Sequence, residues 1–81
     1  DMQRDAKDYA GAAATYTDAI ARTEPLEAGD WPLLYARGIS LERAGQWDSA
    51  EADFKRALTL QPDQPDVLNY LAWCRRHDRA A

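Results

Sequence analysis

The chain has one cysteine, one histidine, four prolines and four glycines in 81 residues, and no apolar run approaching the roughly 20 residues a bilayer span requires. The lone Cys74 excludes an intramolecular disulfide, so folding does not depend on oxidation. A single histidine, His77, and scattered serines leave nothing on which to place a catalytic triad, and no Gly-rich phosphate loop is present. β-Branched residues are few as well, one Val, two Ile and four Thr, which biases the chain away from sheet. Positive charge is also in deficit. Ten Lys and Arg against 14 Asp and Glu give a net charge of −4, which opposes non-specific attraction to phosphate backbones and anionic membranes. These absences argue against an enzyme, a cofactor protein, a nucleic-acid binder or a membrane-inserted chain. No signal-peptide layout is visible, so a soluble domain is expected, with the cytoplasm favoured slightly over the periplasm. The start at Asp1, with Met2 second, reads as a segment of something longer.

What the chain has in quantity is alanine, placed at regular intervals. Tyr9, Ala12, Tyr16 and Ala19 recur thirty-eight residues later as Trp47, Ala50, Phe54 and Ala57. Large aromatic, small, large aromatic, small, at gaps of three, four and three, is a code for helix packing. A helical unit that recurs cannot bury its apolar face alone and must stack on a neighbour, which makes an extended surface. At this length the core is thin, because a chain this short buries roughly 60–65% of the surface its unfolded form exposes.

Four helices follow from periodicity and punctuation. The first spans about Asp8 to Glu24, with Tyr9, Ala12, Ala13, Tyr16, Ala19 and Ile20 on one face and Pro25 as its stop. Asp30 is placed to cap a second helix, about Trp31 to Ala44, with Pro32 in its first turn. That helix carries Leu34, Gly38, Leu41 and Ala44 on one stripe and Tyr35, Ile39 and Glu42 on the next, and Gly45 supplies a left-handed C-terminal cap. A third, about Asp48 to Leu60, presents Ala50, Phe54, Ala57 and Leu58, with Trp47 packing at its entry and Pro62 ending it. Asp63 is the expected cap of a fourth, with Pro65 in its first turn, Val67, Leu68, Leu71 and Ala72 on its apolar face, and a polar end from Arg75 onward.

From Trp31 to Gln64 the two middle helices make a unit of thirty-four residues with Leu34, Gly38, Leu41, Ala50, Phe54, Ala57 and Pro62 in order. This resembles the tetratricopeptide repeat. Each slot has a physical reason: Gly38 permits close approach of the paired helix, Ala50 and Ala57 keep the contact tight, Phe54 fills the space between repeats, and Pro62 ends the hairpin. The resemblance implies an all-α fold of antiparallel hairpins stacked as a short right-handed solenoid, within a single domain, 1–81. Residues 1–24 then read as the end of a preceding repeat, 31–64 as a whole one, and 65–81 as the first helix of another repeat or a capping helix.

Three positions depart from the pattern. Glu24 stands where the first unit's Pro would fall, and the offset of thirty-eight implies four extra residues before Trp31. Arg37 replaces an apolar residue, its stem expected along apolar surface with the guanidinium in water. Arg75 stands where a large apolar side chain is usual, so the fourth helix is expected to face water as a terminal cap.

In this family partners commonly lie in the concave groove lined by the first helix of each hairpin. Carried over by position, that implies Tyr35, Ile39 and Glu42 on the second helix and Asn69, Trp73 and Arg76 on the fourth as partner-binding residues. Aromatic and aliphatic side chains flanked by polar ones suit an interaction hot spot, although Tyr35 and Trp73 would equally serve packing against a neighbouring helix. Some relatives grip a terminal carboxylate with Lys and Asn on successive groove helices. Tyr35, Ile39 and Trp73 occupy those slots here, so an amphipathic peptide or helix is the better expectation. The alternative is self-association, in which exposed terminal helices stack on another copy or on the rest of a longer array. Cys74 and His77 stand three apart, too few ligands for zinc, so no metal is expected. Arg75, Arg76 and Arg79 are read as complementing the dipole of the last turns, and the Thr and Asp residues on the first and third helices as solvated surface.

Overall fold

A computed structural model describes the backbone over residues 6–80 and side chains over 8–76; expectations for His77, Arg79 and the first five residues lie outside these described side chains. Four helices follow in order: α1 Ala6–Thr23, α2 Trp31–Arg43, α3 Trp47–Leu60 and α4 Pro65–Ala80, with a 3-10 turn at Ala28–Asp30 before α2. No strand occurs among the described residues. Each helix packs on the next, and α2 also reaches α4 across the edge of α3. The fold is all-α, as expected.

The corners show how local chemistry sets the path. Gly45 has φ 85°, the left-handed conformation a glycine adopts without steric cost. Around it Gly45 N–H donates to Glu42 C=O (3.0 Å) and Gln46 N–H to Leu41 C=O (2.8 Å), the paired bonds of a Schellman stop. Two expected caps are corrected. Asp30 holds the N-cap position of α2, but its carboxylate accepts from Glu27 N–H at 2.8 Å and so closes the preceding turn. Asp63 lies in the turn before α4; Leu68 N–H donates to Gln64 C=O, which puts Gln64 at the cap position because Pro65 is already helical. Trp47 is the first residue of α3 rather than a residue before it.

The core is built on one close approach. Ile20, Leu34, Ala50, Phe54, Ala57, Val67, Leu71 and Cys74 form one buried cluster, with Phe54 and Leu34 fully enclosed. A methyl group added at Gly38 would stand 2.6 Å from the Phe54 ring, well inside contact distance. Gly38 is therefore the space Phe54 occupies. On its other sides the Phe54 ring lies 6.2 Å from Tyr35 and 5.7 Å from Tyr70, centroid to centroid, so α2, α3 and α4 meet at one aromatic cluster.

A second contact was not foreseen. The Arg37 guanidinium does not lie in water: it makes two hydrogen bonds to buried Asp53, Nε to Oδ2 at 2.7 Å and Nη2 to Oδ1 at 2.6 Å. Its third nitrogen donates to Thr17 Oγ1 at 3.1 Å. One side chain on α2 thus ties α1 and α3 together, and Asp53 is paired core rather than solvated surface. The Asp53 hydrogen bonds hold the Arg37 pKa above even the usual guanidinium value, outweighing the burial that opposes charge. Thr15, Thr17 and Thr23 remain locally satisfied by donating to the carbonyls of Gly11, Ala13 and Ala19 at 3.2, 2.9 and 2.8 Å.

Two predictions follow from these contacts. Gly38→Ala gains helix propensity of about 1 kcal/mol but overpacks Phe54 at a cost of about 1–3 kcal/mol, so urea unfolding should show net destabilisation. Gly11→Ala, with nothing within 4 Å of the added carbon, should instead stabilise by about 0.5–1 kcal/mol. Equal effects at the two sites would remove the close-approach account. Arg37→Ala should cost on the order of 3 kcal/mol by leaving Asp53 buried without its cation, whereas Arg37→Met with Asp53→Leu should recover most of that loss. A double variant no more stable than Arg37→Ala would show that the charge pair is not the cause.

Candidate functional site

The faces of α2 and α4 turned away from the core converge on a groove of about 430 Å³ lined by Glu42, Arg43, Asn69, Tyr70 and Trp73. Helical spacing puts these residues together: Glu42 and Arg43 end α2, while Asn69, Tyr70 and Trp73 follow one another along a turn of α4. Trp73 is 43% exposed, unusual for so large an apolar side chain in a thin domain.

Glu42, Asn69 and Trp73 of the six expected residues therefore share the groove. Tyr35 and Ile39 are half-buried and packed against the core. The Tyr35 ring sits 5.6 Å from Trp31 and 5.6 Å from Tyr70, the latter edge-on at 80°. Burial, then the negative charge of Asp66 and the Tyr70 hydroxyl, raise the Tyr35 pKa, so the phenol stays neutral across the physiological range. Arg76 is exposed on α4 and does not line the groove.

Two lining residues were not anticipated. Tyr70 forms the groove floor as the outer face of the aromatic cluster. Arg43 reaches over the Tyr9 ring, 5.7 Å from its centroid, in cation–π range. Tyr9 first and Tyr70 with it hold the Arg43 pKa above its usual value. The helix-packing echo hid both, since Tyr70 falls thirty-four residues after Ala36, and Arg43 belongs to neither apolar stripe of α2.

An ion pair adds a tie at the outer edge of α4, whose Val67, Leu71 and Cys74 are already buried in the core. Arg75 Nε donates to Glu51 Oε2 at 3.2 Å, and Lys55 reaches the same oxygen at 3.3 Å. Arg75 is thus a tether to α3. Because α4 runs to Ala80, Arg75 and Arg76 fall within its last two turns.

A family model for the tetratricopeptide repeat matches residues 31–64, the span that holds α2, the Gly45 stop and α3. Residues 31–64 are a tetratricopeptide repeat. Tetratricopeptide repeats are, as a family, generally protein–protein interaction modules. No solved structure matches the chain significantly. Among the described residues no helix is long and apolar enough to cross a membrane.

The tether carries a pH dependence. Burial opposes ionisation of Glu51, but hydrogen bonds from Arg75 and then Lys55 outweigh it and hold its pKa below the ordinary carboxylate value of 4.5. A depressed folded-state pKa contributes stability that is complete above the ordinary value and lost as pH falls through the folded one. Thermal unfolding should therefore show the native chain more stable than Glu51→Gln at neutral pH, with the gap closing below about pH 4. A gap that persists undiminished into acid would rule out the ionised tether.

Proposed function

We propose that the chain holds a peptide or helical segment of a partner protein in the groove between α2 and α4, with no chemistry of its own. In this reading α1 is the second helix of one repeat and α4 the first helix of another, so the groove lies on the first helices of two successive units. The thirty-four-residue offsets that carry Leu34 to Leu68 and Gly38 to Ala72 support that alignment.

The observation that carries the proposal is Trp73, a large aromatic left 43% exposed in a concave site. Trp73 serves as the anchor, with Tyr70 beneath it, while Glu42, Asn69 and Arg76 supply polar contacts at the rim. Tyr35 and Ile39 contribute their outer edges to the α2 wall and fix its position through the core. A rim with both charge signs suits an amphipathic segment more than a uniformly charged one.

Peptides selected from a displayed library against the native chain provide the test. Trp73→Ala should weaken them by at least about 2 kcal/mol, roughly thirtyfold in Kd, while helicity by circular dichroism stays unchanged. Binders that ignore the substitution would place the site elsewhere, and loss of helicity would assign Trp73 to the core.

A further inference from the structure

Glu42 is the groove residue that the fold does not use. It is half-buried in the last turn of α2, where the negative end of the helix dipole opposes an acid. Among the described residues no ion pair or hydrogen bond compensates its carboxylate. Asp53 and Glu51, the acids that hold helices together, have Arg37 and the Arg75–Lys55 pair as their cations. Arg43 does not play that part for Glu42. Consecutive residues point about 100° apart around a helix, and the Arg43 guanidinium is drawn toward α1, over the Tyr9 ring at 5.7 Å from its centroid. An acid that weakens the end of its own helix and gains no partner there carries the kind of stability cost found at functional surfaces.

Resting on the peptide-binding reading above, we propose that Glu42 selects partner segments that carry a lysine or arginine beside the apolar residue docked on Trp73, and pairs with that cation. The opposite wall of the groove suits the same side chain. Asn69 has an amide oxygen that can accept from an ammonium or guanidinium, and the Tyr70 and Trp73 rings give its methylene stem an apolar surface. A cationic head also gains from the negative face of an aromatic ring. On a helical partner the base stands three or four residues from the apolar anchor, the spacing at which two side chains share one face. An acid at that place would meet Glu42 as a like charge and be rejected.

The probe is a displayed library of helical peptides with one fixed leucine anchor and Lys, Glu or Ala in equal proportion at the positions around it. Selection on the native chain should enrich Lys three or four residues from the leucine, and selection on Glu42→Lys should enrich Glu there instead. By titration calorimetry, Glu42→Gln should weaken a selected Lys peptide about fivefold and leave its Lys→Ala counterpart unchanged. The thermal midpoint of Glu42→Gln should equal or exceed that of the native chain, because the acid at the helix end is gone. Peptides that lose affinity with Trp73→Ala but tolerate Glu42→Gln overturn this proposal and leave the groove reading standing. Peptides indifferent to Trp73→Ala overturn the groove reading and this proposal with it. Enrichment of Glu by the native chain, lost in Arg43→Gln, also overturns it and assigns recognition to Arg43. A lowered thermal midpoint in Glu42→Gln would make Glu42 a structural residue and overturn it too.

Discussion

Gly38 against Phe54 is the contact on which the remaining architecture depends. The missing side chain lets α3 approach α2 until a full aromatic ring fills the gap, and that ring then forms the wall against which Tyr35 and Tyr70 stack. A ring so enclosed has little freedom to shift, because packed interiors leave few voids. Through Tyr70, which stacks on Phe54 and also floors the groove, this contact reaches the space between α2 and α4.

Around this point the domain adds polar ties where its apolar area runs out. Among the described residues nine hydrophobic ones are buried, a small core for a chain that must order four helices. Arg37 connects α1, α2 and α3 through Thr17 and Asp53, and Glu51 connects α3 to α4 through Arg75. These ties differ in kind. The Arg37 pair is shielded from solvent and fixes one register between helices, since its bidentate geometry tolerates little sliding. The Arg75 link is exposed and contributes less.

The scaffold was legible because its rules are local and periodic. The aromatic-and-alanine echo, the glycine stop at Gly45 and the slots from Leu34 to Pro62 each depend on residues a few positions apart, and the helices fall within two residues of their expected ends. What escaped depended on distance in space. Arg37 and Asp53 are sixteen residues apart and look like surface charges when each helix is read alone. The clue was nevertheless present, since each stands one position before a member of the Gly38–Phe54 contact, so a hairpin register would have paired them. Asp63 was misplaced, and the Asp30 carboxylate, although at the expected N-cap position, bonds to the turn before it, for a related reason. Several residues in a short turn can accept the same orphan N–H groups, and composition does not choose among them. Of the groove residues, Tyr70 was missed because its counterpart Ala36 carries no pattern, while Tyr35 was weighted toward binding although its ring is largely engaged in the aromatic cluster.

The faces of α2 and α4 also differ in how far they repeat. At an offset of thirty-four, the first two packing slots keep their character, Leu34 becoming Leu68 and Gly38 becoming Ala72, while the third changes from Leu41 to Arg75. No slot proposed for binding keeps its character. Tyr35 becomes Asn69, Ile39 becomes Trp73 and Glu42 becomes Arg76. Packing has the same requirement in every unit, whereas a bound segment runs past each unit at a different point along its own length. The α2 wall of the groove carries both charge signs, Glu42 and Arg43, whereas the α4 wall carries the Asn69 amide and the Tyr70 and Trp73 rings, so the two walls offer a partner different chemistry. In the proposed peptide-binding reading, the lack of repetition on this face favours a partner held in one register, with its apolar anchor toward Trp73.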